Sequence, residues 1–285
     1  MTPWLVPHAG RLAVLAGLPA SARPACLSAW AREGRVRTAS GQTLSFVATE
    51  SGETPVAAAQ GASGAALAAH LSAVAYESGI HQTGQVPTRL HGEGGRHDLF
   101  NALAWLAWPL SKARLNALHV QAIAARGAQA VGRGTLRDVL TLIDENAALW
   151  LCEDDSLTAA LRAFDWNTLF VTRRRDMQER VQVRVFGHAL LHKLDVPYKA
   201  VTAHAWPLSL PPGASDAQVD AALAASFESG DRLSARMLCP LPVMGLPGWC
   251  EANRDPAFYA DVSVFRPGRS RRSPQPPDPT ICSGP

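Results

Sequence analysis

The segment that most constrains this chain runs over residues 97–119, HDLFNALAWLAWPLSKARLNALH. Its apolar spacing predicts two helices, and the proline between them predicts a break, because proline disrupts a helix interior. The first helix carries His97 and Asn101 on one face, and the second carries Lys112 and Asn116 on one face. An unpaired buried polar group costs about 1–3 kcal/mol, so these side chains must satisfy one another or serve a bound ligand. We therefore expect the helices to fold back on each other and to enclose a site or a polar core network.

Composition and charge are those of an ordinary globular protein. Of the 285 residues, 47% are hydrophobic and 18% are charged. The formal net charge is only +3, and residues 268–285 supply +2 of it, through three arginines against Asp278. The nearly neutral body lacks the basic excess of a duplex-binding groove, so we do not expect a nucleic-acid partner. We predict a single globular domain over residues 1–267 and a disordered, basic and proline-rich tail over residues 268–285.

Cysteine usage and apolar runs bear on the compartment. The five cysteines are odd in number and form no CxxC pair, so they predict neither a disulfide framework nor a zinc–thiolate site. This usage is typical of a reducing compartment, and we expect a cytoplasmic protein. No apolar run approaches the roughly 20 residues of a membrane span. Residues 12–18, LAVLAGL, weakly resemble a signal peptide, but the helical pattern resumes directly after them, so we expect no cleaved leader.

Hydrophobic periodicity predicts more helix than strand. Helical patterns occupy residues 12–33, 62–78, 97–119, 135–146, 188–194 and 215–229. Strand patterns occupy residues 43–47, 147–152, 181–186 and 199–206, and residues 79–96 have the composition of a polar loop. Thr135 with Asp138 predicts a capping-box start for one helix, and Ser215 predicts the start of another. Because the strands are few and irregularly spaced, we predict an α+β fold, mainly helical, with a small number of short strands.

Asp144 and Glu145 lie at the C-terminal end of a predicted helix. The helix dipole disfavours carboxylates there, so their placement indicates a partner. That partner is either Arg137, on the same helical face as Asp144, or a divalent cation held by oxygen ligands. A structural explanation is also open for their neighbours, since Asp138 and Asn146 suit helix caps.

His188 and His192 are four residues apart on a helix that follows a strand, and this HxxxH spacing suits metal binding. The glutamate of a zinc-protease HExxH motif is absent, and histidines at this spacing also occur in ordinary packing. A histidine at a helix N-terminus resists protonation, which suits a neutral base or ligand at His188. His97, Asn101 and His119 do not form an HNH nuclease motif, because His97 opens a helix and does not lie on a hairpin.

Several motifs occur in an order that is similar to a known family. They are VPTR (86–89), HDLFNALAWLAWP with SKARLNALH, RGTLRDVLTLIDEN, FGHALLHKL, and PLPVMGLPGW followed by FYADVSVFRP. Together they resemble the bacterial family called domain of unknown function 3025, from the N-terminal helices to Arg266. The resemblance implies a bacterial, single-unit protein and names no reaction. It picks out as motif positions His97, Asp98, Asn101, Lys112, Asn116, Arg137, Asp138, Asp144, Glu145, Asn146 and His188.

Two functional hypotheses follow from these residues. In the first, the protein is a hydrolase that acts on a small or phosphorylated substrate, with a divalent metal as a candidate cofactor. Its assigned residues are His97 as base, Asp98 as the orienting carboxylate, Asn101 and His188 as further catalytic groups, Lys112, Asn116 and Arg137 as substrate-binding groups, and Asp144 and Glu145 as metal ligands. In the second, the protein is a non-enzymatic binding or scaffold protein whose polar cluster is a structural network with no pocket inside it.

Overall fold

Helices supply most of the chain, and short strands join them. The computed structural model describes residues 2–49, 62–126, 134–228, 230 and 233–268, with the backbone alone for 62–70 and 126. The tail predicted over residues 268–285 lies outside this range except for its first residue. In chain order the helices and strands are α1 (Ala9–Ala16), α2 (Arg23–Glu33), β1 (Ser45–Thr49), α3 (Ala62–Thr83), β2 (Gln85–Arg89), α4 (Gly92–Ala107), α5 (Pro109–Arg126), α6 (Thr135–Asn146), β3 (Ala147–Leu151), α7 (Asp155–Arg162), α8 (Arg174–Arg180), β4 (Gln182–Val185), α9 (His188–Lys193), β5 (Thr202–Leu208), α10 (Asp216–Ser226) and β6 (Cys239–Pro242).

The strands form two small sheets. β1 and β2 pair in parallel, from Ser45 opposite Gln85 to Thr49 opposite Arg89. The second sheet has the order β4-β3-β5-β6, in which β3 and β5 are parallel and both outer pairs are antiparallel. Every residue of β3 is 0% exposed, and its side chains alternate between two apolar clusters. Because both faces of β3 are covered, this strand is the centre of the core.

The predicted α+β, mainly helical class is confirmed. The strands predicted over 147–152, 181–186 and 199–206 correspond to β3, β4 and β5. Two local predictions are wrong. Residues 79–96 are not a loop, because they hold the end of α3, the whole of β2 and the start of α4. The capping box predicted at Thr135 is absent: Gly134 precedes α6 with φ 77° and no side-chain cap, whereas Ser215 does cap α10 in a capping box with Gln218.

Within the described residues no single helix is both long and apolar enough to cross a bilayer. One pair of helical segments in that part of the chain, Pro3–Ala16 and Ala20–Glu33, has the combined length and apolar composition of a span, but the pair is bent by 120°. The four cysteines that the structure describes, Cys26, Cys152, Cys239 and Cys250, are free thiols.

Asp220 of α10 holds the start of α5, the helix that carries Lys112 and Asn116. Its buried carboxylate accepts hydrogen bonds from the backbone N–H groups of Leu110 and Ser111, each at 2.9 Å. These N–H groups belong to the first turn of a helix, where no intrahelical acceptor reaches them. Asp220 therefore fixes the position of α5 against α10.

Replacing Asp220 with asparagine is expected to lower the free energy of unfolding by about 2 kcal/mol, because one charged acceptor is exchanged for an amide N–H₂ group that faces a backbone N–H. Urea denaturation measures the difference. The exposed Glu153 provides a control, since Glu153→Gln should stay within about 0.5 kcal/mol of the wild type. Equal stability of both variants would contradict this account of the helix start.

Candidate functional site

The two halves of the segment 97–119 meet as predicted. α4 ends at Ala107, Trp108 leaves the helical conformation with ψ 55°, and Pro109 begins α5. The Lys112 Nζ donates a hydrogen bond to the Asn101 Oδ1 at 3.0 Å, which joins α5 to α4. The proline break therefore brings the polar faces of the two helices together.

Sheet pairing brings the end of α6 and the start of α9 to one place. β3 follows α6 directly, β4 precedes α9, and the two strands are antiparallel with Ala148 opposite Val185. The start of β3 is therefore adjacent to the end of β4. Phe186 and Gly187 continue this contact, since both donate backbone hydrogen bonds to the Ala147 carbonyl at 3.1 and 2.9 Å.

Gly187 allows the closest part of this approach. A Cβ at this position would lie 2.5 Å from the Asn146 nitrogen and from the carbonyl carbon and oxygen of Glu145. These are backbone atoms, which cannot move aside as a flexible side chain can. Glycine is thus the residue that lets His188 begin α9 beside Glu145.

His97, Glu145 and His188 bring their ligand atoms within 4.8 Å of one another. The Glu145 Oε2 lies 3.6 Å from the His97 Nε2 and 3.5 Å from the His188 Nε2. The two imidazole rings meet edge to face, with centroids 4.6 Å apart and an interplanar angle of 78°. The three residues come from α4, α6 and α9, so the arrangement depends on the fold and not on a local motif.

Each histidine has an aspartate at its other ring nitrogen. The His97 Nδ1 lies 3.2 Å from the Asp98 Oδ1, and the His188 Nδ1 lies 3.7 Å from the Asp144 Oδ2. The His97 contact is a hydrogen bond, whereas the His188 Nδ1 has no hydrogen-bond partner among the described residues and meets Asp144 only as a nearby charge. A carboxylate that is hydrogen-bonded to Nδ1 favours the tautomer with its proton on Nδ1. The Nε2 atoms of both rings face Glu145, and at His97, whose pKa the two carboxylates raise, a bound cation would displace the Nε2 proton.

Arg89 also binds Asp98 and holds its carboxylate in place. Its Nε and Nη2 donate to the two carboxylate oxygens at 2.8 and 2.7 Å, and its backbone N–H adds a third bond at 2.8 Å. Burial raises the pKa of Asp98, but the hydrogen bonds from Arg89 and His97 outweigh it and hold the pKa well below the usual range. Gly94 makes room for this pair, since a Cβ there would lie 2.8 Å from the guanidinium. Asp98 is therefore an ionised carboxylate with a fixed orientation.

The pKa values of the two histidines shift in opposite directions. Hydrogen bonding to Asp98, and then to Glu145, raises the pKa of His97 to about 9. Burial lowers the pKa of His188, whose side chain is only 4% exposed. The side chains of His97 and Glu145 are 30% and 39% exposed, so this end of the site reaches solvent.

A second polar chain runs from Asp144 into the interior. The Lys112 ammonium, 4% exposed, pairs closely with Asp144 and donates to Asn101, whose Nδ2 donates to the Tyr76 hydroxyl at 2.9 Å. Burial raises the pKa of Asp144, but Lys112 and then His188 reverse this effect and hold it below the usual value. Burial also raises the pKa of Tyr76, which keeps the hydroxyl protonated.

These side chains line a cavity of about 910 Å³. All the assigned site residues line it: His97, Asp98, Asn101, Lys112, Asn116, Arg137, Asp144, Glu145 and His188. Further polar side chains of the lining were not assigned from sequence, among them Tyr76, Glu77 and Arg89. Tyr76 and Glu77 lie in an alanine-rich helix. Two neighbouring polar residues among small ones were the sequence feature that could have identified them. Arg89 ends a strand that was predicted as loop.

His192 does not join the group of converging ligand atoms, although it shares α9 with His188. Its ring centroid lies 6.3 Å from that of His97 and 6.5 Å from that of Phe100. The HxxxH spacing is thus not the metal-binding arrangement that the described residues present. The partner of His188 is His97, from a different helix.

The chain belongs to the family described as "Protein of unknown function (DUF3025)", whose model matches residues 65–269. The matched region includes every residue of the His97–Glu145–His188 group and the whole lining of the cavity except Thr49. No curated protein and no solved structure matches the chain. The family description names no reaction.

Proposed function

We propose that this protein is a metal-dependent hydrolase in which His97, Glu145 and His188 hold one divalent cation. The observation that carries the proposal is the convergence of two imidazole Nε2 atoms and one carboxylate. Asp98 is hydrogen-bonded to the Nδ1 of His97, and Asp144 lies 3.7 Å from the Nδ1 of His188. Paired carboxylates of this kind orient metal-binding histidines and raise their basicity. Two histidines with one carboxylate are ligands of catalytic zinc and of non-haem iron, and they leave coordination positions open.

A divalent cation held here would supply a water of lowered pKa and would polarise the bond under attack. In hydrolysis the water oxygen bonds to the electrophilic atom of the substrate, the bond to the leaving group breaks, and a water proton goes to the leaving group. The Lys112 and Arg137 cations line the cavity and would stabilise the negative charge that develops during attack. Tyr76 accepts from Asn101, so its own proton is available as a donor toward the substrate.

The proposal changes three of the roles assigned from sequence. His97, first assigned as a base, becomes a ligand because its Nε2 faces Glu145. His188, first assigned as a catalytic group, becomes a ligand because its Nε2 also faces Glu145. Asp144, first assigned as a ligand, becomes the carboxylate that neutralises Lys112 and places a negative charge 3.7 Å from the His188 Nδ1. Glu145 keeps its assignment as a ligand, and Asp98 keeps its orienting role.

The alternative of a purely structural network has less support. That hypothesis predicted a polar network with no pocket inside it, but Asn101 and Asn116 both line the cavity. Asn101 is hydrogen-bonded to Tyr76 and Lys112, and Asn116 is hydrogen-bonded to Glu77. A small-molecule substrate, a bacterial source and a cytoplasmic location remain parts of the proposal, and the free thiols favour the last.

The proposal is tested by assaying the zinc-loaded and manganese-loaded full chain against chromogenic carboxylic esters, amides and phosphate esters. We expect turnover of at least one class, lost by about 100-fold or more in Glu145→Gln and retained in the exposed control Glu153→Gln. Failure of the loaded protein to hydrolyse any of the three classes would overturn the proposal. So would wild-type turnover by Glu145→Gln.

The orienting role of Asp98 predicts a dependence on Arg89. Replacing Arg89 with lysine removes the two-pronged contact and should weaken zinc binding about 10–100-fold, the usual effect of losing an outer hydrogen-bond partner of a ligand. Competition with a chromogenic chelator measures the affinity. Arg175→Lys is the matched control, because the Arg175 side chain is 87% exposed and pairs only with Glu179 in the described structure. An Arg89→Lys variant with unchanged zinc affinity would show that Asp98 needs no support.

A further inference from the structure

We propose that Glu77 and Asn116 form a subsite of the cavity that binds an ammonium or similar N–H donor group of the substrate. The inference rests on the proposed function only in taking the bound molecule to be the substrate. The subsite belongs to α3 and α5, whereas the three proposed metal ligands belong to α4, α6 and α9. It can therefore be tested separately.

The hydrogen bonds of Asn116 determine which atom of its side-chain amide lacks a partner. The Nδ2 donates to the Glu77 backbone carbonyl at 2.9 Å and to the Glu77 Oε2 at 2.7 Å. The opposite amide orientation would set the Asn116 oxygen against these two acceptors. The Asn116 Oδ1, in a side chain only 3% exposed, is then a buried acceptor without a hydrogen-bond partner among the described residues. A buried acceptor of this kind costs free energy until a donor reaches it.

Glu77 supplies a second acceptor beside the first. One of its oxygens accepts from Asn116, and the residue lines the cavity. Burial, and then the nearby Asp144 charge, raises the pKa of Glu77 to about 7. A cationic donor bound against this carboxyl would stabilise its ionised form, so the two groups favour each other. A bound anion would be repelled by the same carboxylate.

The charges around the cavity balance overall, so the preference for a cation rests on Glu77 and Asn116. Its lining has four carboxylates, Glu77, Asp98, Asp144 and Glu145, against three basic side chains, Arg89, Lys112 and Arg137. His97, whose pKa is raised to about 9, adds a fourth positive charge near neutral pH. Two of the basic groups already have carboxylate partners, since Arg89 pairs with Asp98 and Lys112 pairs with Asp144. Trp105, Leu115 and Ile80 add apolar wall for the body of a small amine.

Three probes of one shape test the charge preference: benzylammonium, benzyl alcohol and benzoate. Isothermal titration at pH 8 should show benzylammonium binding about 10-fold or more tightly than either of the others. The near-isosteric Glu77→Gln should abolish that preference while leaving benzyl alcohol binding within about threefold, and Asn116→Ala should reduce it in part. Tighter binding of benzoate, or an unchanged preference in Glu77→Gln, would overturn the subsite.

Running each titration on zinc-loaded and on chelator-treated protein separates the two proposals. Benzylammonium selectivity in both forms, with zinc retained by Glu77→Gln, supports the subsite. One bound zinc without any benzylammonium preference overturns the subsite and leaves the hydrolase proposal standing. Selective benzylammonium binding by a protein that holds no zinc supports the subsite and overturns the metal-dependent function.

Discussion

Replacing Gly187 with alanine is expected to lower the free energy of unfolding by about 3 kcal/mol or more and to abolish metal binding. The added Cβ would lie 2.5 Å from backbone atoms of Glu145 and Asn146. Relief requires α9 to move away from the end of α6, and that movement separates His188 from Glu145. Chemical denaturation and zinc content of the purified variant measure the two effects.

Gly10→Ala is the matched control, because a Cβ at that position of α1 meets nothing within 4 Å. This variant should be as stable as the wild type or slightly more stable, since alanine is the better helix former. A Gly187→Ala protein with wild-type stability and wild-type zinc content would contradict the described approach of α9 to α6.

Replacing Asp144 with alanine is expected to lower the free energy of unfolding by about 3–5 kcal/mol, the usual cost of breaking a buried ion pair. The variant leaves the Lys112 ammonium, 4% exposed, without its carboxylate. The double variant Lys112→Met with Asp144→Leu should recover more than half of that loss, because it removes both charges and keeps the volume. Urea midpoints of the wild type and both variants measure the effect.

The recovery separates an ion-pair effect from a general packing effect. If Asp144→Ala costs less than about 1 kcal/mol, the Lys112–Asp144 pair does not support this part of the structure. If the double variant is no more stable than Asp144→Ala, the loss comes from packing and not from the unpaired ammonium.

Local patterns in the sequence predicted the elements that carry the site. Helical periodicity and one proline predicted the α4–α5 pair, and alternating valines predicted β4. β2 was missed because it is five residues long, contains Pro87, and depends on parallel pairing with β1. Such pairing joins segments that are distant in the chain, and local composition does not report it.

The site was predicted as a set of residues and not as a geometry. Asp144 and Glu145 looked equivalent in sequence, but neighbouring residues on a helix point about 100° apart. One therefore faces Lys112, and the other faces His97 and His188. Which histidine completes the group is decided by the register of β3 against β4, and the i to i+4 spacing of His188 and His192 has no part in it.

Zinc titration of the chelator-treated protein tests the central claim most directly, with bound metal measured by elemental analysis. The account predicts one zinc per chain for the wild type and for His192→Ala. It predicts at least about 100-fold weaker binding for His188→Ala and for Glu145→Gln, since each removes a ligand rather than an outer partner. Absence of stoichiometric zinc in the wild type would contradict the account. Loss of zinc in His192→Ala with retention in His188→Ala would contradict it as well.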